Sequence, residues 1–346
     1  MAYTDIDKPT DYFNTKLYTG TGATHNITGV GFQPDWVWIK KRSGVDGARM
    51  FDVVRGASEG LFTDSNAEEV TVSTEHTSFN SDGFSLGSSE NVNESSGTFV
   101  AWNWLADNTS GSSNTDGSIT SSVSASTTSG FSIVSYTGNG SDGATVGHGL
   151  GVNPSAILFK RRNGTSNWSL MGQNIGTAFS SYLKLETTDA FNTNSGMLQN
   201  SNSSTFTIGT SSRVNTSTAT MIAYCFAEKK GFSKFNSYTG NGNVDGTFVY
   251  TGFKPAMIII KKNGAGDNWH IYDNKVNPTN VMDTNLRPNL SDAEITNANH
   301  NLDFVSNGFK WRTTSNTRQG SGSEVIYMAF AESPFVTSTG IPTTAR

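Results

Sequence analysis

Apolar positions along this chain alternate far more often than they fall at helical spacing. In Phe131-Ser132-Ile133-Val134-Ser135-Tyr136 a period of two leads into Thr137-Gly138-Asn139-Gly140, the pattern of a strand entering a tight turn. Asn139-Gly140 and Asn241-Gly242 supply residues that tolerate positive φ at such turns. A proline then opens the next strand, where its missing N–H does least harm. The run behind it is apolar for about four consecutive residues, as in a strand buried on both faces or at a sandwich centre. Residues 290–300 are the best helical candidate.

The succession occurs three times. Tyr18-Thr19-Gly20-Thr21-Gly22 returns as Tyr136-Thr137-Gly138-Asn139-Gly140 and as Tyr238-Thr239-Gly240-Asn241-Gly242. Each is followed by Gly-x-x-Pro, ending at Pro34, Pro154 and Pro255, and by an apolar strand with a basic end. Those strands are Trp36-Val37-Trp38-Ile39 before Lys40-Lys41-Arg42, Ala156-Ile157-Leu158-Phe159 before Lys160-Arg161-Arg162, and Met257-Ile258-Ile259-Ile260 before Lys261-Lys262. Val100-Ala101-Trp102-Asn103-Trp104, Ile222-Ala223-Tyr224-Cys225-Phe226 and Ile326-Tyr327-Met328-Ala329-Phe330 close the three copies. A period of roughly 100–120 residues is a domain rather than a solenoid turn, which runs about 20–45 residues. Each unit reads as seven to nine strands, so the expected fold is all-β, with three tandem β-sandwich domains of jelly-roll type.

Composition sharpens this picture. Ser, Thr, Asn and Gly make up 157 of the 346 residues, only 15% are charged, and 11% are aromatic. Such a chain suits many short strands and turns, and it is too aromatic for a disordered tract. The net charge of −5 argues against nucleic-acid binding. No apolar run is long enough to insert in a membrane, and the first residues lack the pattern of a signal peptide. Residues 107–129 hold almost only Ser, Thr, Gly, Asn and Asp, and read as a flexible linker. The expected organisation is an N-terminal anchor segment 1–13, repeat one 14–106, linker 107–129, repeat two 130–230, repeat three 231–335 and a tail 336–346. Repeats two and three join without a spacer and are expected to move as a rigid pair.

The opening Lys8-Pro9-Thr10-Asp11-Tyr12-Phe13, the Tyr-Thr-Gly-x-Gly turn, Gly31-Phe32-Gln33-Pro34-Asp35-Trp36-Val37-Trp38-Ile39-Lys40 and Phe51-Asp52-Val53-Val54-Arg55-Gly56 resemble a repeat module of uncharacterised virion proteins. These come from tailed bacteriophages, many of them marine, and are described as tail-fibre-like or lectin-like. The resemblance is strongest in copy one; copy two lacks the Phe-Asp-x-x-Arg-Gly element. It implies a protein displayed on the virion surface, made in the host cytoplasm and released by lysis. The favoured role is a tail fibre or receptor-binding protein that contacts host glycans through several weak sites at once. A head fibre or capsid decoration protein is the alternative, and a host-polysaccharide depolymerase the third reading. The N-terminal region would contact other virion proteins, and a homotrimer is the favoured assembly.

The candidate chemistry is sparse. The five histidines fall at no metal-ligand spacing, and Cys225 sits in an apolar strand as a small hydrophobe. A non-enzymatic protein is therefore expected. Asp64, Glu68, Glu69 and Glu75 could form the paired carboxylates of a glycosidase, but solvated loop charges are the plainer reading. Asn139, Asp142, Asn241, Asn243 and Asp245 offer oxygens for calcium, although turn chemistry explains them too. The binding candidates are Lys41, Arg42, Arg161, Arg162 and Lys262 at the basic strand ends, with Trp36, Trp38, Trp168 and Trp269. Alternation puts the Trp36 and Trp38 indoles on one strand face, where they either stack on sugar or pack in a core. The basic ends either bind an anionic glycan or a neighbouring subunit, or simply guard a hydrophobic strand against aggregation.

Overall fold

A computed structural model describes residues 3–176, 178–264 and 266–343. Those residues form 29 strands, two one-turn α-helices, Glu90–Asn93 and Asn316–Gln319, and two 3-10 turns. Every strand pairing is antiparallel apart from one isolated bridge, Ile119 to Val146. Residues 290–300, the helical candidate, hold the short strand Ile295–Thr296 and a 3-10 turn at Ala298–His300. Seven of these eleven residues are polar, and Leu290 and Ile295 are the only large apolar ones, so a helix here has little apolar face to bury.

Each third of the chain builds a main sheet and a three-stranded sheet. In the first, the main sheet runs Phe13–Thr19, Thr98–Trp104, Trp36–Lys41, Arg49–Asp52, Gly56–Phe62 and Val70–Thr71. Its companion runs His25–Thr28, Gly83–Leu86 and His76–Asn80. The second third repeats the order with Phe131–Thr137, Thr220–Phe226, Ala156–Arg161 and Ser169–Met171, the third with Ser233–Thr239, Glu324–Pro334, Phe253–Lys262 and His270–Asp273. Register fixes the equivalences: Trp36 lies opposite Trp104, Ala156 opposite Phe226, and Met257 opposite Phe330.

The continuous apolar runs behind the prolines are explained by burial on both faces. Val37, Ile39, Phe51 and Phe99 pack outward against Ile27, Phe84 and Leu86 of the three-stranded sheet, and two similar clusters fill the other thirds. The alternate residues point inward to a single core shared by all three thirds. Trp36, Trp38, Trp102 and Trp104 meet Leu158, Tyr224 and Phe226 of the second copy and Met257, Ile259, Met328 and Phe330 of the third. A void of only about 20 Å³ remains among them, so the centre is packed at close to crystal density.

Hydrogen bonds close the three copies into a ring. Ser166 N donates to Asn66 O (2.9 Å), Gly266 N to Thr188 O (3.0 Å), and Asp46 N to Ser291 O (2.6 Å). The second copy thus grips the first, the third grips the second, and the first grips the third. Trp168 Nε1 donates to Phe62 O at 2.7 Å and Trp269 Nε1 to Lys184 O at 2.9 Å in the same sense. The result is a pseudo-threefold body with one central core, rather than a separate first module beside a rigid pair.

Residues 107–129 are not a flexible linker. Ser112–Asn114 and Ser121–Ser126 are strands that extend the second main sheet beyond Phe131–Thr137. A polar tract orders here because backbone ladder bonds need no apolar side chains, and Ile119 and Val123 supply two buried pegs. Residues 3–13 are likewise part of the body rather than a free anchor. Thr4 Oγ1 donates to Lys230 O (2.6 Å), Ile6 joins the central core, and Asp7 accepts from Ser338 N and Oγ. That last contact also ties down the C-terminal tail, of which residues 344–346 lie outside the described residues.

Candidate functional site

The recurrent motifs turn out to build the fold. Tyr18, Tyr136 and Tyr238 donate their hydroxyls to Val92 O, Val214 O and Arg318 O at 2.7, 2.7 and 2.6 Å. Beside each tyrosine, Gly22, Gly140 and Gly242 adopt φ of 70, 75 and 68°, a conformation costly to any residue with a Cβ. Buried Asn93 and Asn215 bond the backbone of the first two turns, and buried Gln319 donates to Asn243 O just beyond the third. The oxygens proposed for calcium are engaged locally: Asn139 Oδ1 accepts from Ser141 N, Asn241 Oδ1 from Asn243 N, and Asp245 pairs with Lys310. Among the described residues no three His, Cys, Asp or Glu side chains are placed to hold a metal.

Four of the eight basic residues at the strand ends, Lys40, Arg42, Lys160 and Arg162, reach across the joints of the ring. Buried Lys160 Nζ reaches Asn66 O (3.0 Å) across the joint and Ser166 O (2.5 Å) on its own side. Lys40 does the same with Leu290 O (2.9 Å) and Asp46 O (3.1 Å). Desolvation brings Lys40, Lys160 and Lys261 each down to about 8. Arg162 pairs with Glu69 and Arg42 with Glu294, both at 2.7 Å and both across joints. Lys41 pairs with Glu94 (2.7 Å) and Lys262 with Asp267 (3.4 Å) within their own copies. Arg161 bonds Asn163. Of the five candidates, Arg42 and Arg162 are thus paired across joints, Lys41 and Lys262 are paired within their own copies, and Arg161 bonds a neutral side chain.

The tryptophans are also corrected. Trp36, Trp38, Trp168 and Trp269 are 2, 2, 0 and 1% exposed, so no ligand can stack on them. The strand Trp36–Lys41 has two buried faces, and Trp168 and Trp269, each just before a strand, point their indoles into the joints, where Nε1 bonds the neighbouring copy. Of the four candidate carboxylates, Glu69 lies between Arg162 and Arg55, and Glu75 is buried against Arg49 and Asn91. Asp52 accepts from Arg55 and, at 2.7 Å, from Tyr224 Oη of the second copy. This Asp52–Arg55–Glu69–Arg162 network is a joint between copies.

Four histidines are buried or half-buried and held neutral. Burial drops His76 to about 3 and His300 to about 4, and lowers His148 and His270 as well. The unfolded chain protonates these rings below about 6.5 while the folded chain resists, so their stability is complete above 6.5 and is lost as pH falls toward 4. Asp35, pushed up to about 6 by burial, opposes the effect, as do Asp46, Glu186 and Asp273, which burial also raises. The lowered carboxylates Asp7, Glu69, Asp82, Asp189 and Asp245 act in the same sense as the histidines. The thermal midpoint is expected to drop on acidification from about pH 7.5 to about pH 5. A midpoint that holds or rises would overturn this expectation and show that proton uptake by the raised carboxylates outweighs the cost of keeping the rings neutral.

The surface departs from threefold likeness in the third copy. Its outer strand Phe248–Tyr250 exposes Phe248 and Tyr250 while Val249 faces the core. Two clefts lie nearby. One of about 550 Å³ is lined by Tyr3, Lys229, Lys230, Lys234 and Tyr250, and one of about 880 Å³ surrounds the Lys254–Glu332 ion pair. Sequence reasoning overlooked this patch, because attention fell on the tryptophans. The signal was present in the alternation Phe248-Val249-Tyr250, whose outward positions hold polar residues or glycine in the other copies.

The fold and its joints define an all-β protein in which three antiparallel repeats close around one shared core. The chain belongs to the family described as "Domain of unknown function (DUF7483)", which matches residues 8–334. That span takes in all three copies, as a single closed body requires. No curated protein and no solved structure matches the chain.

Proposed function

We propose that the chain is a non-enzymatic surface protein of a tailed-phage virion that contacts glycans on the host cell. The observation that supports this most is the closed pseudo-threefold body. It is a rigid scaffold with buried apolar and ionic groups inside and a Ser, Thr and Asn surface outside, which offers adaptable hydrogen bonds with little charge. The threefold arrangement that the repeat module was expected to reach by trimerisation is present within one chain, so attachment to a trimeric tail component needs one copy. The same symmetry favours a second reading, a decoration protein seated on a local threefold axis of the capsid.

Antibodies against the purified chain are expected to label the outside of particles that encode it. The purified chain is expected to bind host cells, with binding lost after periodate oxidation of surface glycans. Unlabelled particles would overturn the virion assignment, and periodate-insensitive binding would overturn the glycan assignment. Label on the head instead of the tail would select the decoration reading.

A further inference from the structure

The three copies act as an internal control on what the fold requires. Where all three keep a residue type, packing or turn geometry accounts for it; where one copy alone departs at the surface, the fold does not. Phe248 and Tyr250 are 44 and 54% exposed. Register puts Asn26 and Thr28 at these positions in the first copy, and Thr145 and Gly147 in the second. Lys234 lies 5.5 Å from the centre of the Tyr250 ring, within cation–π range. Its counterparts are Asn14 and Ser132. An aromatic and cationic patch has therefore been placed on one copy of a scaffold that folds without it twice.

The patch borders the 550 Å³ cleft, a volume typical of small-ligand sites. Tyr3, 62% exposed, enters the lining from the N-terminal segment, which Thr4 and Asp5 fasten to Lys230 O. The two carboxylates in the lining, Asp5 and Glu228, are held by neutral N–H donors and keep their charge, so the three lysines of the lining, Lys229, Lys230 and Lys234, leave it with a net charge of +1. Asp5 Oδ2 accepts from Lys230 N (3.1 Å), and Glu228 Oε1 accepts from Phe235 N (2.8 Å) and Asn174 Nδ2 (3.1 Å). What the cleft offers a ligand is two phenol rings and the ammonium groups of Lys229 and Lys234. The C–H faces of a pyranose carry slight positive charge and meet the negative face of an aromatic ring, while an ammonium group pairs with a carboxylate.

We propose that this cleft binds an acidic polysaccharide through its uronate units, with Tyr3 and Tyr250 stacking on sugar rings and Lys229 and Lys234 pairing with the carboxylates. The inference rests on the glycan-contacting reading above and locates it on the molecule. Titration calorimetry of the full chain with oligogalacturonate and alginate oligosaccharides is the test, with neutral galactan and oligoglutamate as comparators. Saturable binding of at least one uronate probe is expected, weakened by added salt. Tyr250→Ala and Lys234→Ala are each expected to weaken it roughly tenfold or more without moving the thermal midpoint. Tyr250→Phe is expected to keep most of the affinity, since the ring and not the hydroxyl makes the contact. The proposal is overturned if neither uronate probe binds, if galactan or oligoglutamate binds as tightly, or if Tyr250→Ala binds like the parent. A chain that labels particles and binds cells but takes up neither uronate probe removes this site and leaves the virion reading standing. Tyr250-dependent uronate binding by a chain absent from particles does the reverse.

Discussion

Replacing Arg55 with Met is expected to destabilise the chain by about 3–5 kcal/mol, the usual cost of removing one partner from a buried ion pair. Arg55 is buried, and its guanidinium bonds Asp52, Glu69 Oε2 (2.9 Å), Glu59 O (2.7 Å) and Met50 O (3.0 Å). Glu69 also bonds Arg162, and Asp52 also bonds Tyr224, so the loss is felt on both sides of the joint. Urea unfolding followed by circular dichroism measures the change through the shift in midpoint at constant slope. The double variant Asp52→Asn, Arg55→Met is expected to recover part of the loss, because it no longer buries an unpaired charge. A single-variant cost below about 1 kcal/mol, the range of exposed pairs, would show that water reaches this network.

Trp36→Ala is expected to cost a similar amount, about 3–5 kcal/mol, through the cavity it leaves. The Trp36 ring centroid lies 4.3 Å from that of Trp104 in its own copy, and 4.6 and 5.6 Å from those of Tyr224 and Phe131 in the second copy. Because one core serves all three copies, the variant is expected to unfold in a single transition in which the whole chain melts together. Coincident curves from tryptophan fluorescence and far-ultraviolet circular dichroism would support this. A separate early transition carrying about a third of the signal would show that the first copy melts alone, and that the shared core does not couple the copies.

Much of the local structure was legible in the sequence. The alternation around Phe131–Tyr136, the turn glycines and the apolar runs after Pro34, Pro154 and Pro255 each correspond to a strand or turn, since those signals arise from the few residues on either side. The closure of the copies on one another was not legible. A strand such as Trp36–Lys41 shows by its pattern that both faces are buried, but not whether the second face meets its own domain or a neighbouring copy. The ionic partners were hidden for the same reason: Arg42 and Glu294 lie 252 positions apart. The linker was misread because serine and threonine tracts order readily when an open sheet edge is at hand, and composition does not reveal the edge. The exposed pair Phe248 and Tyr250 escaped notice because tryptophan offers the largest ring for stacking and drew the binding reading, whereas exposure depends on which side of the strand faces the core.

Ring closure also governs the order in which the chain can mature on the ribosome. The first copy leaves the exit tunnel with Trp36, Trp38, Trp102 and Trp104 assembled on one sheet face, and the residues that cover this face extend to Phe330. The bond from Asp46 to Ser291 cannot form until the rest of the first copy, all of the second and more than half of the third have been made. Contacts so distant in sequence form late, so the nascent first copy carries an uncovered aromatic face throughout most of translation. During that interval the protein is a sticky half-built object, dependent on its own unfinished end for protection, and chaperone occupancy should fall only when the third copy has emerged.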